Sequence, residues 1–143
     1  MDASSVISQI KITVTSRYLT VPTQYMALSH ARQKPVHLFH YDITIHNIST
    51  EVVAIFSKYW IAIDSKGNEQ VLENEGMMIK QSPLQAGQEY TYQGMCQLAT
   101  PEGLIAGLVG IQLKNGSVHW MPIPKHALCR PVRLVMNDSV AVS

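Results

Sequence analysis

The chain has 143 residues, 46% of them hydrophobic, and Asp, Glu, Lys and Arg together make up only 15%. That length fits one domain with an ordinary core, and the charge is sparse against the usual quarter of residues. A formal net charge of +1 with scattered Lys and Arg gives neither a phosphate track nor an acidic tail, so nucleic acid is not an expected partner.

The opening Met1-Asp2-Ala3-Ser4-Ser5 lacks the basic stretch and apolar run of a signal peptide. Ile10, Ile12 and Val14 then alternate with Lys11 and Thr13, the period-two mark of a half-buried strand. Residues 17–36, with Pro22 and Pro35, read as extended or loop chain. Phe39, Tyr41, Ile43 and Ile45 alternate with His40, Asp42, Thr44 and His46, and Asn47 with Ser49 ends the run. Residues 52–63 are β-branched and aromatic on both faces, as expected for a central strand. Residues 64–68 supply a turn, and 69–72 return as a short strand.

Tyr90, Tyr92, Gly94, Cys96 and Leu98 share one face of a further strand. Thr100-Pro101-Glu102-Gly103 breaks the chain before residues 104–113. That stretch is the longest apolar run, and it is too short to span a bilayer as a helix. Asn115-Gly116 predicts a two-residue type I′ hairpin, with residues 118–123 as its second arm. Pro122, Pro124 and Pro131 place that arm at a sheet edge. No window carries a capped helical period, so short strands separated by turns predict an all-β sandwich. Residues 1–136 are expected to form the domain, with 137–143 a flexible tail. Cys96 and Cys129 lie far apart without CxxC spacing, which fits free thiols in a reducing, cytoplasmic setting.

Beyond the strands, a set of short motifs stands out: Tyr41-Asp42-Ile43-Thr44-Ile45, Asn47, Tyr59-Trp60-Ile61, Glu75-Gly76, Gln81, Leu84, Gly87, Thr100-Pro101-Glu102-Gly103, Gly107 and Ile123-Pro124. Together they resemble the ApaG domain family (DUF525), from about residue 8 to about residue 133, in a divergent member. Lys58 stands where the family has arginine, and the glycine-rich loop is reduced to Asn74-Glu75-Gly76-Met77-Met78-Ile79. Ser82 and Ala86 replace two of its prolines. The resemblance implies a fibronectin type III-like (immunoglobulin-like) β-sandwich. It also implies a link to cobalt resistance and magnesium efflux in bacteria, and a protein-binding role for similar domains in some eukaryotic proteins.

The candidate sites are few. A glycine loop cradles pyrophosphate only when glycines open a helix whose amides face the phosphates. Here Asn74, Gly76 and Ile79 occupy the three glycine positions, no helical pattern follows, and Ile79 resists positive φ. This degenerate loop reads as structural. His40 and His46 share a strand face but lie about 20 Å apart, far beyond the reach of one ion. His40 with Asp42, about 7 Å apart along the strand, is the weak metal candidate. Cys129 beside His126 makes a poor nucleophile and base pair, because such proximity is common. No catalytic set emerges, and no cofactor is expected.

The leading expectation is therefore a non-enzymatic interaction domain with a protein partner. A homodimer through the N-terminal edge strand is its self-association form. The alternative is a small-ligand binder, for a nucleotide, pyrophosphate or divalent metal, in metal-ion homeostasis.

Overall fold

The computed structural model describes residues 3–19, 36–75 and 82–131. In chain order these form helix α1 (Ala3–Ile7) and nine strands: β1 (Ile10–Leu19), β2 (His37–Asn47), β3 (Val53–Asp64), β4 (Glu69–Glu75), β5 (Ser82–Leu84), β6 (Glu89–Leu98), β7 (Glu102–Gln112), β8 (Val118–Pro122) and β9 (His126–Cys129). The expected flexible tail, 137–143, lies outside the described residues.

Two antiparallel sheets face each other. One has the order β1-β2-β6; the other runs β4-β3-β7-β8, with β5 paired to β3 and β9 to β7. This is the expected all-β sandwich. Alternation explains its inner faces. Phe39, Tyr41, Ile43 and Ile45 of β2 are buried, while the residues between them are half-buried on the other side. Across the gap lie Val53, Ile55, Trp60 and Ala62 of β3 with Ile105, Val109 and Ile111 of β7. Strand β3 is central, as its composition predicts, and β8 with its proline is an edge.

Trp60 fills the middle of this core at 1% exposure, and Tyr59 beside it points outward. Trp60 pairs with Gly107 on β7, and its ring lies 5.7 Å from that of Tyr92 on β6. A Cβ at Gly107 would collide with the Tyr59 carbonyl oxygen and with Cα and Cβ of Trp60. Trp60 Nε1 is the one buried side-chain polar atom without a hydrogen-bond partner among the described residues. The Tyr41 hydroxyl faces it, and burial raises the Tyr41 pKa above that of free tyrosine.

Polar joints hold the ends of the sandwich. Buried Asn47 donates through Nδ2 to the carbonyls of Glu51 (2.7 Å) and Leu84 (3.0 Å). Its Oδ1 accepts from the backbone N–H and the hydroxyl of Ser49. One side chain thus ties the end of β2 to β5 and to the approach to β3. Asp64 caps its hairpin by accepting from the backbone amides of Lys66 and Asn68 and from the Asn68 side chain. The Asn68 side-chain bond leads in lowering its pKa.

The described residues hold one short helix, α1, whose Val6 is buried in the core, in keeping with a domain of almost no helix. One expectation needs correction: the hairpin at Asn115-Gly116 is not a two-residue loop. Leu113 N–H bonds to Ser117 O and Gly116 N–H to Leu113 O, enclosing three residues, with Gly116 at φ 90°. The loop at 64–68 repeats the pattern, with Gly67 at φ 89°. Glycine at the third loop position takes the left-handed conformation that closes such a loop against the strand twist.

At one flank the two sheets meet through side chains. Ser16 Oγ on β1 lies 2.7 Å from His126 Nε2 on β9. Nearby, Tyr18 Oη lies 3.2 Å from His37 Nδ1. Burial lowers the pKa of His126; burial and then the Arg130 charge lower that of His37.

Two outcomes follow from this packing. Gly107→Ala should lower stability by about 3 kcal/mol or more, because the added methyl meets backbone rather than a movable side chain. Thermal unfolding followed by circular dichroism checks it, and an unchanged midpoint would contradict the packing described. For the histidines, the unfolded chain binds protons near the ordinary value of about 6.5, above the folded values. Stability should therefore be complete above that pH and decline as pH falls through it toward the folded values. Urea titrations from pH 8 to pH 5 should show this slope, with His126→Gln flattening it.

Candidate functional site

The outer faces of the two sheets differ in chemistry. On the three-stranded sheet, Lys11, Thr13, Thr15 and Arg17 of β1 are exposed. Beside them the neighbouring strands present polar pairs. His40 Nε2 lies 3.1 Å from Asp42 Oδ1, Thr44 Oγ1 lies 2.9 Å from Thr91 Oγ1, and His46 Nδ1 lies 3.9 Å from Glu89 Oε1. Thr15 Oγ1 donates to the other oxygen of Asp42 at 3.5 Å. This is a solvated, mostly polar wall, in which Met95, opposite His40, is an exposed apolar side chain.

The six-stranded sheet presents the opposite. Its cross-strand rungs run Val71, Ile61, Ala106; then Asn74, Tyr59, Leu108, Pro122; then Ser57, Gly110, Trp120; and, toward the 64–68 turn, Glu69, Ile63, Leu104, Ala127. Of these residues only Glu69, at the β4 corner, is charged. Val71, Tyr59, Leu108, Val118 and Trp120 are exposed, Trp120 by 52% and Leu108 by 41%. Four strands at about 4.8 Å spacing, over a length of about 25 Å, give roughly 500 Å² in projection. Patches of that size on a single chain are often functional.

Local irregularity shapes the patch. The β3–β7 register shifts between Ile55 and Ser57, a β-bulge that leaves Phe56 as the extra residue. Phe56 is buried against Trp120, with ring centroids 5.1 Å apart at 69°. Gly110 makes room for it, since a Cβ there would lie 2.7 Å from Phe56 Cζ. Trp120 is thus an exposed aromatic held in place from below. Lys58, next to Tyr59, faces the other way, with Nζ 4.2 Å from the Tyr92 ring centre.

The residues singled out from sequence do not assemble into a site. His40 and Asp42 do meet, but they bond to each other and to Thr15. Among the described residues no group of three His, Cys, Asp or Glu could hold a metal ion. Asn74 lies within β4, opposite Tyr59, rather than on a phosphate loop. Gly76 and Ile79 lie outside the described residues. His126 is engaged by Ser16, not Cys129, whose sulfur lies 3.6 Å from the Arg130 carbonyl oxygen. Both cysteines are free, and burial pushes the Cys96 thiol up to about 11, which makes it a poor nucleophile at neutral pH. Among the described residues no helix is long and apolar enough to cross a membrane.

The apolar patch is what the sequence reading missed, although its signal was present. Tyr59, Ile61 and Ile63 alternate with Trp60 and Ala62, so β3 is apolar on both faces. Such a strand reads as covered on both sides. Among the described residues only one side is covered.

Comparison with known proteins agrees with the fold. Residues 27–112 match the ApaG domain profile. The chain is 30% identical to "Protein ApaG" of Brucella abortus over 128 residues, covering 90% of this chain and 93% of that one. With "Protein ApaG" of Proteus mirabilis identity is 26% over 113 residues, covering 79% and 90%. Among solved structures, the putative ApaA protein of Bordetella pertussis superposes with a TM-score of 0.66 at 26% identity, covering 85% of this chain and 94% of that one. A structural-genomics X-ray structure gives a TM-score of 0.69 at 22% identity, covering 91% and 93%, a likeness of fold alone. On the profile match and the similarity to the Brucella protein, the chain belongs to the ApaG family.

Proposed function

We propose that this chain is a non-enzymatic interaction module that docks a protein partner on the outer face of its six-stranded sheet. The observation that carries this reading is the uncharged patch centred on Tyr59, Leu108 and Trp120, on a molecule whose opposite face is polar apart from Met95. The cores of protein interfaces are depleted in charge and enriched in aromatic residues. Trp and Tyr are also over-represented among the residues that dominate binding energy. Trp120 has a further advantage: its stack on Phe56 already restricts the ring, so less freedom is lost when a partner covers it.

No catalytic role is assigned to the polar pairs. His40, Asp42 and Thr15 satisfy one another on an open sheet face, without the concave, water-excluding pocket that small-molecule chemistry uses. In this reading, the link to cobalt resistance and magnesium efflux that the family resemblance implies runs through a bound protein rather than through an ion held here.

Site-specific photo-cross-linking tests the proposal. A photoreactive residue at position 118, on the apolar face, should capture a discrete partner in cells. The same group at position 44, on the polar face, should not. Leu108→Lys, an exposed position, should leave the fold intact and reduce capture at least tenfold. Equal capture from both faces, or capture indifferent to Leu108→Lys, would refute the assignment.

A further inference from the structure

We infer that the outer face of the six-stranded sheet pairs with the same face of a second copy of this chain, forming a face-to-face dimer. The inference rests on the reading of that face as a docking surface and names its occupant. Extent is the first argument. Two patches of roughly 500 Å² each remove about 1,000 Å² in total, the lower limit for a specific interface. A dimer of this size is weak and concentration-dependent, on the order of micromolar.

Charge is the second argument. The rungs from Val71 to Trp120 carry no Lys, Arg, Asp or Glu, so a strongly charged partner finds no counter-charge there. Charges sit at the rim and are mixed: Lys66, Glu69, Glu102 and Arg130 at one end, Lys114 at the other, and Lys125 along the side where β8 gives way to β9. A second copy meets this face without net repulsion, since the chain carries only +1. The patch is also the one broad apolar face that the described residues leave open, and it complements itself.

Symmetry then places the residues. In a two-fold pairing the same patch is used on both copies, and residues at its centre meet their own counterparts. Leu108 is at that centre, with Tyr59 on one side and Pro122 on the other. The competing route, strand addition along the free edge of β1, covers little apolar surface, and Ser16 near its far end is engaged by His126 of β9.

Light scattering on a sizing column, run over a concentration series, tests the inference with four samples. Wild-type mass should rise from one chain toward two across the micromolar range. Leu108→Glu and Leu108→Lys should each weaken association at least tenfold, because like charges meet across the axis. An equimolar mixture of the two should recover it, since opposite charges then meet. Circular dichroism identical to wild type confirms that both variants fold. A wild-type chain that stays monomeric at several hundred micromolar overturns the inference. So does a dimer that ignores both Leu108 variants and is lost in Ile12→Pro, which would place the contact at the β1 edge. A monomer that still cross-links a partner in a Leu108-dependent manner would sink the second copy and leave the docking surface standing.

Discussion

The close approach of β3 and β7 at Trp60 and Gly107 is the constraint on which the sandwich depends. An indole is the largest side chain available, and here it must lie between two sheets about 10 Å apart. It fits because the partner position on β7 has no side chain at all. Tyr92 from the facing sheet closes over the ring, and Tyr41 lies beside it. Removing bulk at Trp60 or adding bulk at Gly107 disturbs the same contact from opposite directions, by a cavity or by a clash.

From that contact the two faces of β3 acquire different fates. Inward residues are fixed by packing, whereas outward ones are free to follow function. On the three-stranded sheet the free face has gone to threonine, histidine and carboxylate, which pair locally and remain hydrated. On the six-stranded sheet the free face is valine, tyrosine, leucine and tryptophan. Scattered exposed apolar residues need no explanation, but contiguous rungs of them do. The bulge at Phe56 concentrates the effect. It adds an aromatic beneath Trp120, so the ring stands on a support rather than lying loose on the sheet.

Much of this was legible in the residues. Alternation at Ile10–Val14 and Phe39–Ile45 marked two strands and their buried sides correctly, and the prolines marked β8 as an edge. The central position of β3 also followed from its composition. Other features were hidden for physical reasons. A five-residue helix is too short to show a period, and Val6 is its sole buried residue. Asn-Gly suits both two-residue and three-residue hairpins, and only the strand register decides between them. The exposed face was harder still. An apolar run records that a surface avoids water, but not whether the cover comes from the same chain or another. The candidate metal pair, His40 and Asp42, shows the converse limit: spacing along one strand brought the two together, but the described residues supply no third ligand.

The chain has two tryptophans, one in the core and one on the outer apolar face of the six-stranded sheet. Acrylamide quenching of fluorescence at low protein concentration, in the wild type and in Trp120→Phe, tests that division directly. The wild type should show one accessible and one protected emission. In Trp120→Phe only the protected emission should remain, because Trp60 is 1% exposed. Emission from Trp120→Phe that acrylamide quenches as readily as free tryptophan would contradict both the core and the face described here.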